Sequence, residues 1–268
     1  MSRHEVRETL PEHGLQRRTC LLLPLLCAPM ALGAQARELR MAFGEHIPPF
    51  CFPQTASGIE VDVFREALAQ RGIQLKPQFY PFARVPRAFR EGLVDATMTD
   101  LGEDLGSTGG HYGETAVMYD NVLISLQARA LRIRQPSDLD GLTVIAFQGA
   151  HKRFPDWLGA LQRSGRLTEV NDQAQQVRTL MRGRYDLVLA DRSIFRYFSQ
   201  QIARQGERLL PVSEHAFTSP NPRDYRPVFR SPQMRDEFNE GLRWLRSSGR
   251  LRAIYERYLG EGQAPAAR

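Results

Sequence analysis

Cysteine is scarce: the 268 residues hold three, Cys20, Cys27 and Cys51. Their spacing matches no metal-binding pair, and Cys51, between Phe50 and Phe52, reads as a small buried apolar residue. Long apolar runs are also missing. Cys20–Gly33 spans fourteen residues and is broken by proline, short of the roughly 20 that a membrane helix needs. Lysine is almost absent, Lys76 and Lys152 being the only two, so the net charge of +6 is carried by arginine. Acids are interspersed with the arginines, which describes a solvated surface and not a nucleic-acid stripe. The glycine-rich stretch GSTGGHYG (Gly106–Gly113) opens no helix after a tight turn, so it is a loop and not a phosphate cradle. His46, His111, His151 and His215 are scattered, without paired ligand spacing. Nothing in these patterns calls for a metal or a cofactor.

The run Cys20–Gly33 follows Arg17 and Arg18 and ends at Ala34-Gln35-Ala36. Charge, short apolar stretch and small-x-small cleavage site together read as a secretory signal peptide over 1–36. The adjacent arginines leave both the general and the twin-arginine export routes open. The mature product is expected outside the cytoplasm.

From Glu38 strand and helix patterns alternate. LRMAF has period two; Val61, Phe64, Ala67 and Leu68 have helical spacing closed by Gly72; Ile73, Leu75 and Phe79 suggest a strand; VDATMTD reads as a third strand. The alternation restarts with VLISL and LTVIAF, then a helix over Ala174–Met181, the buried strand YDLVLAD and a helix over Ser193–Gln205. Ser231-Pro232 is an N-cap and first-turn pair for a helix carrying Met234, Phe238, Leu242 and Leu245. A last helix buries Leu251, Ile254, Tyr255, Tyr258 and Leu259. Two such sets predict an α/β protein of two lobes with mostly parallel sheets.

The segment YPFARVPRAF (Tyr80–Phe89) crowds cations at a helix start, where the helix dipole disfavours them. On a helical wheel Val85, Ala88 and Phe89 share one side, while Arg87 and Arg90 lie opposite and face water. Arg84 falls at the rim of the apolar side. It either meets a ligand or pairs with Glu60 or Asp100.

LRMAFGEHIPPFCF, GIEVDVFREAL and REGLVDATMTD, followed by LDGLTVIAFQG, LMRGRYDLVLADR and MRDEFNEGLRWLRSSGRLRAIYERYLG, resemble in order the family 3 solute-binding proteins of bacterial ABC importers. The resemblance runs from about Glu38 to Gly260 and implies a two-lobed periplasmic-binding-protein-like (type II) fold with a hinge. Lobe 1 would be 37–118 plus 218–268, and lobe 2 would be 123–217. It also implies a monomeric periplasmic receptor that closes on a small-molecule ligand and hands it to an ABC permease in the inner membrane. Strand-end polar residues fit a site in the crevice at the carboxyl ends of the strands. By resemblance, Asp191 matches the carboxylate that holds a ligand amino group and Phe82 the aromatic that packs on the ligand. Gln148, Gly149, Ala150 and His151 match the turn that meets a ligand carboxylate. Thr99 and Asp100 end the VDATM strand, and Lys152 and Arg153 add positive charge.

The sequence departs from the family pattern at two places. The loop after VDATMTD, LGEDLGSTGGHYGE, lacks the arginine that usually pairs with an α-carboxylate, and Gly44 and Ile47 replace a usual aspartate and tyrosine. Arg84 is the candidate replacement cation. The solute expected is small and polar or zwitterionic, amino-acid-like or an organic acid. Alternatives of the same fold are a dehydratase acting on cyclic acids, for which Asp100, Asp191 and His151 are available acid types, and a sensory or accessory binding protein.

Overall fold

The computed structural model describes residues 1, 37–45, 47–218 and 225–260. The expected signal segment beyond Met1, and His46, lie outside the described residues. In chain order the elements are β1 (Arg37–Gly44), α1 (Ile59–Ala69), β2 (Ile73–Tyr80), α2 (Val85–Arg90), β3 (Ala96–Thr97), β4 (His111–Tyr112) and β5 (Asn121–Leu126). There follow β6 (Val144–Phe147), α3 (Ala150–Arg153), α4 (Pro155–Arg163), β7 (Leu167–Val170), α5 (Gln173–Met181), β8 (Leu187–Asp191) and α6 (Arg192–Arg204). β9 (Val212–His215), β10 (Val228–Phe229), α7 (Pro232–Ser247) and α8 (Arg250–Leu259) complete them.

Among the described residues the strands form two five-stranded sheets, in the orders β2-β1-β3-β10-β4 and β7-β6-β8-β5-β9. Each contains a parallel trio, β2-β1-β3 or β7-β6-β8. Each trio is then joined by an antiparallel strand, β10 or β5, which pairs in turn with a further antiparallel strand. The fold is therefore the expected two-lobed α/β architecture, but its sheets are mixed and not mostly parallel. The reason is connectivity: β5 and β10 are the strands by which the chain enters the second sheet and returns to the first, so they run against the trios they join.

In the first sheet β1 is covered on both faces, with Leu39, Met41, Ala42 and Phe43 all buried. Arg37 pairs with Ile73 and Gly44 with Tyr80 at the two ends of the β1–β2 register. The apolar side of α1 meets α7 through Phe64 and Phe238, stacked with centroids 4.6 Å apart. A glycine makes this approach: a Cβ on Gly241 would stand 2.0 Å from the Ala67 carbonyl oxygen. The α7 start is as its sequence predicts, with Ser231 Oγ accepting the Met234 N–H at 3.2 Å. VDATMTD contributes only Ala96 and Thr97 to the strand proper; Met98 still donates its N–H to the Ala42 carbonyl at 3.1 Å, and Thr99 and Asp100 beyond it reach Arg153 of the other lobe.

The second sheet is built on β6 and β8, buried along their whole length. α6 lays Ile194, Phe195, Phe198 and Ile202 on it, the helical spacing read from the sequence. α4, β7 and β9 escape that reading. The strands are four residues each and only partly buried, so they carry neither alternation nor a continuous apolar run.

Candidate functional site

The carboxyl ends of the two parallel trios face each other. From the first come Gly44, Phe82 just beyond β2, and Thr99 and Asp100 beyond β3. From the second come the Gln148–Gly149 turn beyond β6 and Asp191 at the end of β8. Phe82 is buried and meets Phe147 edge-on across the gap, with centroids 6.4 Å apart. Gly44 makes room for it, since a Cβ there would lie 2.8 Å from the Phe82 ring.

Arg153, at the end of α3, bridges the two sides. Its guanidinium pairs with Asp100 Oδ1 at 3.2 Å and donates to Thr99 Oγ1 at 3.3 Å. It also lies 4.4 Å from the centroid of the Tyr225 ring, a cation–π contact. Its side chain is only 7% exposed and that of Asp100 18%, so the pair is shielded from water and screened little by salt. Asp100 is held in place by the Gly102 N–H at 2.9 Å and the Tyr112 hydroxyl at 3.2 Å. Lys152 reaches Glu103 at 3.5 Å beside this bridge.

Arg84 behaves otherwise. It is exposed and forms no ion pair among the described residues, so neither Glu60 nor Asp100 is its partner. The wheel holds for its neighbours. Val85, Ala88 and Phe89 are buried, while Arg87 pairs with Glu91 at 2.6 Å and Arg90 with Glu103.

The turn expected to receive a ligand carboxylate already contains one. Glu169 of β7 accepts from the Gly149 N–H at 3.0 Å, the His151 N–H at 2.8 Å and the Gln148 amide at 3.2 Å. Its Oε1 also lies 2.9 Å from His151 Nδ1. Gly149 has φ of 87°, a left-handed conformation that suits glycine and lets the two N–H groups converge. Ala150 is buried behind them. Glu169 gave no signal in the sequence, because its strand is short and half-buried.

Asp191 is the N-cap of α6. Its Oδ1 accepts from the Ser193 and Ile194 N–H groups at 2.9 and 3.0 Å, and its Oδ2 from the Asp120 N–H at 2.7 Å. Asp120 precedes β5, so this carboxyl ties the second sheet to the crossing segment. Burial pushes Asp191 up to about 7, against the three N–H donors that favour its charged form. Near the same crossing, Glu60 of α1 is fully buried and pushed up to about 8 by desolvation, with Tyr119 donating to it at 2.7 Å. Tyr119 in turn packs on Phe50 and Tyr225 at 4.3 and 4.6 Å. Among the described residues no group of His, Cys, Asp and Glu is placed to hold a metal ion, and no helix is long and apolar enough to cross a membrane.

Two lobes with an aromatic and charged cleft at opposed strand ends define the two-lobed periplasmic-binding-protein fold, and solved structures of that class match over most of the chain. The glutathione-import protein GshT of Streptococcus mutans superposes with a TM-score of 0.69 at 15% identity, covering 86% of this chain and 98% of that one. ArtJ of Geobacillus stearothermophilus, an arginine-, lysine- and histidine-binding protein, gives 0.67 at 14%, covering 86% and 97%. A histidine kinase sensor domain similar to periplasmic binding proteins gives 0.65 at 17%, covering 84% and 96%. No protein-family model and no curated protein matches the sequence.

Proposed function

We propose that the protein is an extracytoplasmic solute-binding protein whose lobes, 37–118 with 218–268 and 123–217, close on a small polar or zwitterionic solute. The observation that carries this reading is Arg153: a nearly buried cation from one lobe meets a carboxylate and a hydroxyl at the strand ends of the other. A solute with an anionic end can take the place of Asp100 on Arg153, and one with a cationic end the place of Arg153 on Asp100. Phe82, Phe147 and Tyr225 supply apolar walls, as small-molecule sites require. Asp191 and the Gln148–His151 turn complete the second lobe's side, and Arg84 stands at the edge beside Phe82. GshT takes part in glutathione import with an ABC importer and ArtJ binds arginine, lysine and histidine on this fold, which supports delivery to an ABC permease; export to the periplasm with removal of 1–36 rests on the sequence pattern from Arg17 to Ala36. The histidine kinase sensor domain on the same fold supports a second reading, in which a sensor and not a permease reads closure.

Mass spectrometry of the solute released on denaturing the purified protein tests the reading directly, followed by titration calorimetry with that compound. Arg153→Ala should weaken binding by about 2–5 kcal/mol, the range for truncating one partner of a buried charge pair. Arg84→Ala measured beside it decides which arginine meets the solute. Unchanged affinity in both would remove the cationic contact, and the absence of any released or titratable solute would refute solute binding.

A further inference from the structure

Two buried glutamines lie over the same turn without partners. β6 sits between β7 and β8, and α5 connects those two strands, so α5 crosses over β6. Its first residue, Gln173, follows by three residues Val170, whose carbonyl accepts the Gln148 N–H at 3.1 Å. The first turn of α5 therefore stands over the carboxyl end of β6, where the cleft turn begins. Gln173 and Gln176 are 4% and 1% exposed and share one side of the helix at i and i+3. Gln173 Oε1 and both polar atoms of the Gln176 amide have no hydrogen-bond partner. Helix capping does not employ them, because Asp172 accepts the Ala174 N–H at 2.9 Å. Of the buried positions that follow on α5, Val177 and Leu180 are apolar, as a helix packed on a sheet requires, and the Thr179 hydroxyl is satisfied by the Gln175 and Gln176 carbonyls at 2.8 and 3.1 Å. Two amides at the cleft end of that side depart from the pattern, and a buried amide lacking a partner is unfavourable.

The neighbouring charges say what kind of group suits them. Glu169 already takes the two convergent N–H groups of the turn, and with Asp191 it places two carboxyls on this lobe's side. A solute carboxylate here would find the turn's N–H groups taken, could not donate to the unpaired oxygens of Gln173 and Gln176, and would face like charge. A primary amide offers both a donor and an acceptor and can pair with a glutamine amide on both counts.

We propose that Gln173 and Gln176 are specificity-determining residues that hydrogen-bond a neutral donor–acceptor group of the solute, a carboxamide or its equivalent. The proposal rests on the solute-binding reading above and adds the chemical class of the end that enters the second lobe. A site built to pair such a group rejects the analogue that lacks it, since its own amides then stay unpaired.

The test compares matched pairs in thermal shift and calorimetry: L-glutamine with L-glutamate, L-asparagine with L-aspartate, nicotinamide with nicotinate. Wild type should be stabilised by an amide member and bind its acid at least about tenfold more weakly. Gln173→Leu and Gln176→Leu should each weaken the amide by about tenfold or more and leave the unliganded Tm no lower than wild type, because replacing an unpaired buried amide by an apolar group is tolerated. Gln176→Glu, nearly isosteric, should abolish the preference for the amide. Preference for the acids overturns the inference. So do leucine variants with unchanged amide affinity and a lowered unliganded Tm, which would assign the amides to structural water. No shift with any pair also overturns it, whereas the solute-binding reading is decided separately by the released-solute experiment.

Discussion

Replacing Glu169 by glutamine changes one atom and should reveal how much the filled turn contributes. Glu169 Oε1 faces the His151 N–H and Nδ1, and Oε2 faces the Gly149 N–H and the Gln148 amide. Whichever way a glutamine amide is turned, its NH2 points at one of two buried backbone N–H groups. One donor is then left unsatisfied, worth about 1–3 kcal/mol, and the remaining bonds fall from charge-assisted to neutral strength. The expected loss is about 2–4 kcal/mol in urea unfolding, or about 5–15 °C in Tm for a chain of this size. Glu169→Ala should lose a similar amount but leave space for a small anion. Formate would then restore stability: with a dissociation constant of about 0.1 M, about 1 M formate returns about 1.4 kcal/mol. Wild type, its turn occupied, should not respond beyond a general salt effect. A Glu169→Gln protein within about 0.5 kcal/mol of wild type, or a Glu169→Ala protein indifferent to formate, would refute the argument.

Glu60 makes stability depend on pH with a defined sign. The folded carboxyl holds its proton to about 8 while the unfolded one releases it near 4.5. Between those values the unfolded state binds fewer protons, so stability falls as pH rises, by about 1.4 kcal/mol per pH unit for one full proton of difference. Asp191 adds a slope of the same sign up to about 7. Urea unfolding at about pH 5 and about pH 8 should show the decline, and Glu60→Gln should flatten it; an unchanged slope would mean that Glu60 is charged in the folded protein. Gly241→Ala should destabilise by about 1–3 kcal/mol in the same assay, because the added Cβ collides with the Ala67 carbonyl and α7 must shift on α1. A neutral result would show that the two helices can separate without loss.

What could be read from the sequence divides along the range of the interactions involved. The strand-end positions of Thr99, Asp100, Gln148 and Asp191 follow from local pattern, because an apolar strand run locates its own carboxyl end, whereas Phe82 is singled out by the family resemblance alone. Local chemistry also foretold the Ser231 cap and the outward Arg87 and Arg90. Long-range pairing was not visible. Nothing near residue 153 announces that its guanidinium will lie between Asp100 and Tyr225, and nothing near Glu169 announces the turn that it fills. Arg84 shows the limit most clearly. Its place at the rim of an apolar helix face made it the natural cation for the cleft, yet a rim position says only which way a side chain leaves the helix, not what stands opposite. The opposing surface is supplied by the other lobe, through a connection that departs at β5 and returns at β10. Sequence pattern can therefore identify which residues border the cleft. Which of their charges are already paired within the protein, as Glu169 is by its turn and Arg153 by Asp100, depends on tertiary pairing, and under the proposed solute-binding function those prior pairings set what a solute must bring in order to replace them.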